Sequence, residues 1–250
     1  MDAGLRNGDG FSGEYYSRYR INPFKTVFGA KPGVLRQVRK MAPRGRLLDL
    51  GCGLGEFMAQ AARYFQVWGL ERSLYAASEA AKLKDLTGRL VVGEAGQHLP
   101  FRQGSFSVVS LMDLVEHLER PERLIEKAAE LLAPGGLLVL STPNLESLGR
   151  VLKGNQWAGA RDRTHVSVMP PKYWEEVVGR HLVVEKVLYD GLWDSPYFFD
   201  GGFWKRPGLR GLVGLSQSLI IVLPFLVLNK LGLGSPRRLG ENLWIFARKQ

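Results

Sequence analysis

Cysteine is almost absent: Cys52 is the one thiol in 250 residues. A lone thiol excludes an internal disulfide and any zinc site built on several cysteines. Its place inside a glycine-rich turn makes it a small packing residue. The first residues are polar and glycine-rich, so no secretory leader and a cytoplasmic chain are expected. There is no low-complexity tract and no internal repeat. Acidic residues are in deficit, 24 against 34 basic ones, for a formal net charge of +10. That excess points to an anionic partner, whether nucleic acid, membrane surface or acidic substrate; a merely soluble basic surface is the alternative. The remaining composition, 45% hydrophobic and 23% charged, is that of a soluble protein, and the length suits a single domain with a sizeable core.

What is present is organised around residues 46–57, which read Arg-Leu-Leu-Asp-Leu-Gly-Cys-Gly-Leu-Gly-Glu-Phe. The apolar run carries Asp49, three glycines then alternate with other residues, and a helical pattern begins at Glu56. A buried parallel strand that turns sharply into a helix beneath a ligand has this pattern. Glycines there take positive φ and let a ligand approach the backbone. The start of the following helix offers unpaired N–H groups. The spacing is Gly51-x-Gly53-x-Gly55, not the G-x-G-x-x-G of a dinucleotide fingerprint. Glu56 stands where the third fingerprint glycine would fall, and a carboxylate there suits a cationic ligand better than a pyrophosphate.

Residues 1–14 read as a mobile segment. From Tyr15 to Lys40, aromatic residues such as Tyr15, Tyr16 and Tyr19 interleave with basic ones, and Val34, Leu35 and Val38 fall at helical spacing. One or two helices are expected there, with the aromatic residues packing rather than binding. Strands are expected at 46–50, 65–70, 90–92, 107–112, 137–141, 182–189 and 241–249. Helices are expected at 56–64, 73–84, 121–132 and 172–178, and Pro134-Gly135-Gly136 reads as a helix stop. Strands alternating with helices across short turns predict an α/β fold with a Rossmann-like, doubly wound sheet of seven strands. Asp49, Glu71, Glu94, Asp113 and Asn144 fall at five strand ends, where such sheets bind ligands. Glu71, some twenty residues after the glycine turn, is the expected acceptor for a ribose diol.

The D-x-G-x-G-x-G form of Asp49 to Gly55 resembles motif I of the class I S-adenosylmethionine-dependent methyltransferases. Leu99-Pro100-Phe101, Ser105-Phe106-Ser107-Val108-Val109 and Val115-Glu116-His117-Leu118, in this order, resemble the small-molecule and lipid subgroup. Thr164-His165 ahead of a helix resembles ubiquinone-type O-methyltransferases and those of glycan or lipid pathways. The resemblance covers roughly Tyr15 to Ser141. It implies S-adenosylmethionine as cofactor, held by Asp49, Gly51, Gly53, Gly55, Glu71, Glu94, Ala95 and Asp113. Within that set the glycine turn takes the methionine end, Glu71 the ribose, and Glu94 with Ala95 the adenine. It also implies that the last two strands form a hairpin, the last of them antiparallel.

A hydroxyl acceptor needs a base. His165 is the first candidate and His117 the second, with a structural histidine as the alternative for each. No metal is expected, because the spacing of Glu116, Asp162 and His165 does not make a ligand set. The expected reaction is O-methylation of a lipophilic or lipid-linked small acceptor. Two alternatives remain open: an RNA methyltransferase, and a non-catalytic membrane-associated protein with this fold. Against RNA, no Asn-Pro-Pro-Tyr motif follows the fourth strand and no RNA-binding module is visible. The single cysteine also excludes the two-cysteine chemistry of some C5-pyrimidine methyltransferases.

About fifty residues separate the last two strands, where short hairpin loops are the norm. They comprise an aromatic part with Trp193, Tyr197, Phe198, Phe199, Phe203 and Trp204, then a charge-free run from Gly211 to Asn229. The run is at the length of a membrane span. However, the flanking strands must pair on one side, and Pro224 and Ser216-Gln217-Ser218 interrupt it. A helical hairpin is expected, dipping into one leaflet or covering the body. Lys205, Arg206, Arg210, Lys230, Arg237 and Arg238 on its flanks suit an anionic membrane surface met through 204–238, at the inner face of the membrane. A second buried core or a homodimer interface is the alternative. The expected organisation is one domain, 1–250, with an N-terminal helical cap at 1–44, a substrate region at 145–180 and the insertion at 192–240.

Overall fold

The structure is a computed structural model that describes residues 15–16, 30–190 and 236–250. The expected mobile segment at 1–14, most of the aromatic stretch before Ala30, and the apolar insertion from 191 to 235 lie outside the described residues.

Seven strands form one sheet in the order β3-β2-β1-β4-β5-β7-β6. They are β1 (Arg46–Leu50), β2 (Gln66–Glu71), β3 (Leu90–Val92), β4 (Phe106–Met112), β5 (Leu132–Pro143), β6 (Val183–Asp190) and β7 (Asn242–Arg248). The first five are parallel, and β7 runs antiparallel between β5 and β6. Helices α1 (Ala30–Met41), α2 (Glu56–Ala61), α3 (Leu74–Ala81), α4 (Pro121–Leu131), α5 (Leu148–Lys153), α6 (Ala158–Arg161) and α7 (Pro171–Gly179) connect or cover the strands.

Both faces of the central strands are buried, so these strands are continuous apolar runs rather than alternating ones. The two-residue period then sorts their side chains into two cores. Leu48, Leu50, Val109, Leu111, Leu138 and Leu140 pack with Leu124, Ile125 and Ala128 of α4 and Trp174, Val177 and Val178 of α7. Leu47, Val108 and Val139 pack on the other face with Val34, Leu35 and Val38 of α1 and Phe57, Met58 and Ala61 of α2.

The chain runs outward from β1 to β3, then returns to place β4 on the other side of β1. The carboxyl ends of β1 and β4 therefore border the point where the winding reverses, which is where open α/β sheets bind ligands. Asp190, the last residue of β6, pairs with Asn242, the first of β7, and Asn242 also pairs with Pro143 at the end of β5. The insertion thus leaves the sheet and rejoins it at the same edge as the glycine turn.

Two details differ from the sequence expectation. Pro134-Gly135-Gly136 does not separate α4 from β5 but lies inside β5. Phe106 pairs with Leu132 and Val108 with Leu137, so β5 carries extra residues as a bulge, with Gly135 at φ 73°. Asn144 stands at a strand end as expected, yet it is fully buried and holds the returning leg of the insertion rather than facing a ligand. Its amide donates to the carbonyls of Arg237 (2.7 Å) and Gly240 (2.8 Å), and its oxygen accepts from the Glu146 N–H (3.0 Å). Asn144→Ala would leave these groups without partners. We expect it to cost about 2–3 kcal/mol in urea unfolding and to raise amide exchange across 236–241.

Candidate active site

The glycine turn is built from below by a carboxylate. Asp49 is buried in β1, where Oδ1 accepts from Ser110 Oγ of β4 at 2.6 Å. Above it, the Leu70 carbonyl of β2 accepts from Gly51 N (2.7 Å) and Cys52 N (3.1 Å), which bends the chain sharply out of the sheet. All three glycines have positive φ, but they face different neighbours. A Cβ on Gly51 would meet Leu114, 2.8 Å away, and one on Gly55 would meet Ala80 and Leu86, both at 2.9 Å. Gly53 has no such close neighbour; the nearest atom to its Cβ position belongs to the Tyr16 ring, 3.7 Å away. Gly55, at φ 76°, caps α2 and lets α3 approach. We expect Gly55→Ala to cost about 2–4 kcal/mol in chemical denaturation, from left-handed strain plus overpacking. Burial pushes the Cys52 thiol well above its usual range, with the charges of Asp49 and Glu71 adding to this, so it is an unreactive packing group.

Glu71 ends β2 as a buried carboxylate. Its Oε2 accepts from Gly53 N (2.9 Å), and its Oε1 accepts from Ser73 N (2.8 Å) and from the Tyr16 hydroxyl (3.2 Å). The next two expected cofactor residues sit at the end of β3: Ala95 is buried, and Glu94 is half-exposed beside Arg72 (3.7 Å) and Gln97 (3.0 Å). Asp113, exposed and at φ 50°, ties the ends of β4 and β5 together. Its N–H donates to the Ser141 carbonyl (3.1 Å), and its Oδ1 accepts from the Ser141 hydroxyl (2.9 Å).

Across the same edge lies a second cluster. A single 3₁₀ turn, Val115–His117, follows β4, and the Glu116 carbonyl accepts from the N–H groups of Val166 and Ser167. These bonds dock the 162–167 loop against His117. The two candidate bases meet there, with rings 4.7 Å apart and edge to face. His165 Nδ1 lies 2.9 Å from the Gly159 carbonyl, so in the neutral ring that nitrogen carries the proton. His117 Nδ1 lies 2.9 Å from Thr164 Oγ1 and 3.2 Å from the Thr164 carbonyl. The Thr164 hydroxyl in turn donates to Asp162 Oδ1 at 2.5 Å. This chain protonates His117 at Nδ1 and leaves Nε2 as the basic nitrogen. Burial, and then the neighbouring His165, lower the His117 pKa below its ordinary 6.5, which favours the neutral base. Burial and the Asp113 charge push the Glu116 carboxyl well above its usual range, towards the neutral acid.

Glu116, His117 and His165 each place a ligand atom within 4.8 Å of the others, a donor set of the kind that holds a divalent cation. Sequence spacing gave no hint of it, because the third member comes from a loop 48 residues beyond His117. Nothing local in the sequence pairs Thr164 and Asp162 with His117, although the polar run Asp162-x-Thr164-His165 marks the loop that carries them. Two cavities of about 570 and 500 Å³ lie at the opposite edge, sharing Arg46, Gly104 and Ser105, and contain none of these residues.

A profile of the family described as "Methyltransferase domain" matches residues 27–181, more than half of the chain. The chain belongs to that family. Methyltransferase relatives support the assignment. The ubiquinone biosynthesis O-methyltransferase of Psychrobacter arcticus is 33% identical over 151 residues, which cover 53% of this chain and 57% of the relative. The match therefore spans little more than half of each protein. Among solved structures, an S-adenosylmethionine-dependent methyltransferase of Thermotoga maritima, a possible histamine N-methyltransferase, shares the fold. Its TM-score is 0.59 at 17% identity, covering 95% of this chain and 96% of that one. The cyclase SpnF shares it too, with a TM-score of 0.57 at 18% identity over 87% and 80% of the two chains. Fold alone therefore does not name the reaction.

Membership in the methyltransferase family implies S-adenosylmethionine, and the residues present fit it. The turn leaves one glycine, Gly53, free of packing from the core. A buried carboxylate with acceptor capacity towards hydroxyls stands beside it at Glu71. The carboxylates of Glu71, Glu94 and Asp113 favour a cationic ligand in an otherwise basic chain.

Proposed function

We propose that this methyltransferase-family chain methylates a hydroxyl oxygen of a lipophilic or lipid-linked small acceptor, with His117 as general base. The observation that carries this reading is the chain from His117 Nδ1 through Thr164 Oγ1 to Asp162, on the same sheet edge as Glu71. Bound S-adenosylmethionine supplies a methyl group activated by its sulfonium. The chain's own residues do the rest. Glu71 would hold the ribose diol, the turn at Gly53 the methionine end, and Glu94 with Ala95 the adenine. His117 Nε2 removes the proton of the acceptor hydroxyl. Thr164 fixes the tautomer, and the Asp162 carboxylate offsets the charge that develops on the imidazole. Alignment and exclusion of water provide most of the remaining rate.

The lipophilic character of the acceptor is supported by the insertion. Its charge-free run, Gly211 to Asn229, is rooted at Asp190 and Asn242, on the active-site edge. The relative named a ubiquinone biosynthesis O-methyltransferase agrees with such an acceptor. In this reading 1–44 is a cap, 145–180 the substrate region, and 192–240 an insertion that meets an anionic membrane surface. Among the described residues no helix is long and apolar enough to cross a membrane. The membrane part has its own test: the full chain should co-sediment with vesicles containing anionic lipid, and a chain lacking 209–234 should not. Equal sedimentation of the two would reject it. The catalytic part is tested by methyl transfer to phenolic and catecholic quinone precursors, with cofactor affinity measured in parallel.

A further inference from the structure

Tyr15 and Tyr16 are helical neighbours that reach two different parts of the site. The Tyr16 hydroxyl donates to Glu71 Oε1 at 3.2 Å, and the edge of its ring lies 3.7 Å from where a Cβ on Gly53 would stand. The Tyr15 hydroxyl donates to Asp162 Oδ2, also at 3.2 Å. The two rings meet edge to face, 5.3 Å apart. One backbone step thus joins the carboxylate of the cofactor half to the carboxylate behind the candidate base.

A count of acceptor positions shows what this means for a ligand. A carboxylate offers about four lone-pair sites. Glu71 gives one on Oε2 to Gly53 N, and two on Oε1 to Ser73 N and the Tyr16 hydroxyl. A vicinal diol that addresses both oxygens needs one position on each. Oε2 has one to give, but Oε1 has none until a partner leaves. The two backbone donors belong to the glycine turn and to the start of α3, and cannot leave without undoing them. Tyr16 is held there by a side-chain hydroxyl that can swing away. Its ring also covers Gly53, the one glycine of the turn free of packing from the core. Burial and the Glu71 carboxylate push the Tyr16 phenol well above its usual range, so it remains a proton donor under all physiological conditions.

We propose that Tyr16 is a displaceable plug in which its hydroxyl stands in for a ribose hydroxyl on Glu71, and that its departure draws Tyr15 off Asp162. A nucleoside diol arriving at Glu71 then alters the contacts of the carboxylate that orients Thr164 and His117, so cofactor binding precedes and prepares acceptor binding. This rests on the assignment of Glu71 to the ribose.

Calorimetric titration of the full chain with S-adenosylhomocysteine tests it without any turnover. Tyr16→Phe removes the competing hydroxyl and keeps the ring, so the product analogue should bind about three- to tenfold tighter. Unchanged or weaker binding overturns the plug. Tyr15→Phe releases the Asp162 end of the pair and should tighten binding about twofold; no change overturns the coupling between the two halves. Glu71→Gln in the Tyr16→Phe background separates the two assignments. A loss of about tenfold or more upholds the ribose role of Glu71 whatever Tyr16 does. Unaltered affinity removes that role, and the plug with it.

Discussion

A Glu71→Gln chain is expected to bind S-adenosylmethionine about ten- to a hundredfold more weakly than the parent. The substitution keeps the shape of the side chain and removes its charge and half of its acceptor capacity. Hydrogen bonds to a charged group are worth about 1.5–3 kcal/mol each, and the diol would lose at least one of them. Stability should fall less, because one of the two backbone N–H groups, of Gly53 or Ser73, would then face an amide nitrogen; about 1–2 kcal/mol is expected. Calorimetry gives the affinity, and a urea curve on the same sample shows that the chain is still folded. Near-parental affinity would remove the ribose from Glu71.

His117→Ala is expected to slow methyl transfer about a hundredfold or more while leaving cofactor affinity unchanged. A positioned base contributes on the order of 10²–10⁴ in rate, and His117 Nδ1 is held by Thr164 rather than by Glu71 or the glycine turn. Thr164→Val and Asp162→Asn should each give a smaller loss, since they act through the orientation of the ring. The pH dependence has a defined sign. Burial lowers the His117 pKa below 6.5, so the basic form persists to lower pH than in an exposed histidine. The acid limb of kcat/KM should therefore lie below 6.5, and His117→Ala should abolish it. The same shift makes folding stability fall as pH drops from about 6.5 through the lowered value, because the unfolded chain binds the proton first. His165→Ala discriminates between the two imidazoles: a larger loss there than in His117→Ala would move the base to His165.

The strands of this fold were legible because a sheet covered on both faces writes its strands as short apolar runs. Leu47, Leu48 and Leu50 leave little choice, and the glycines after them mark where the strand must turn. Glu71 was legible for a related reason, as a lone carboxylate closing an apolar strand. The family profile and the antiparallel β7 agree with the motifs at Asp49 to Gly55 and Val115 to Leu118. Position along the chain does not tell what a side chain will face. Gly51, Gly53 and Gly55 look equivalent in sequence, yet Leu114, Ala80 and Leu86 take two of them for packing. Asn144 has the placement of a ligand residue, but the carbonyls it holds come from 93 and 96 residues further on. The bond from His117 to Thr164 spans 47 residues, and that from Tyr16 to Glu71 spans 55. Closures of that length are settled by the sheet order and the docking of loops, which no local pattern records.

The most direct test of the account is a calorimetric titration of S-adenosylmethionine into the full chain, alongside the Glu71→Gln chain at the same concentration. The account predicts saturable binding at one site in the parent and a loss of ten- to a hundredfold in the variant. A parent chain that is folded and takes up no S-adenosylmethionine would contradict it.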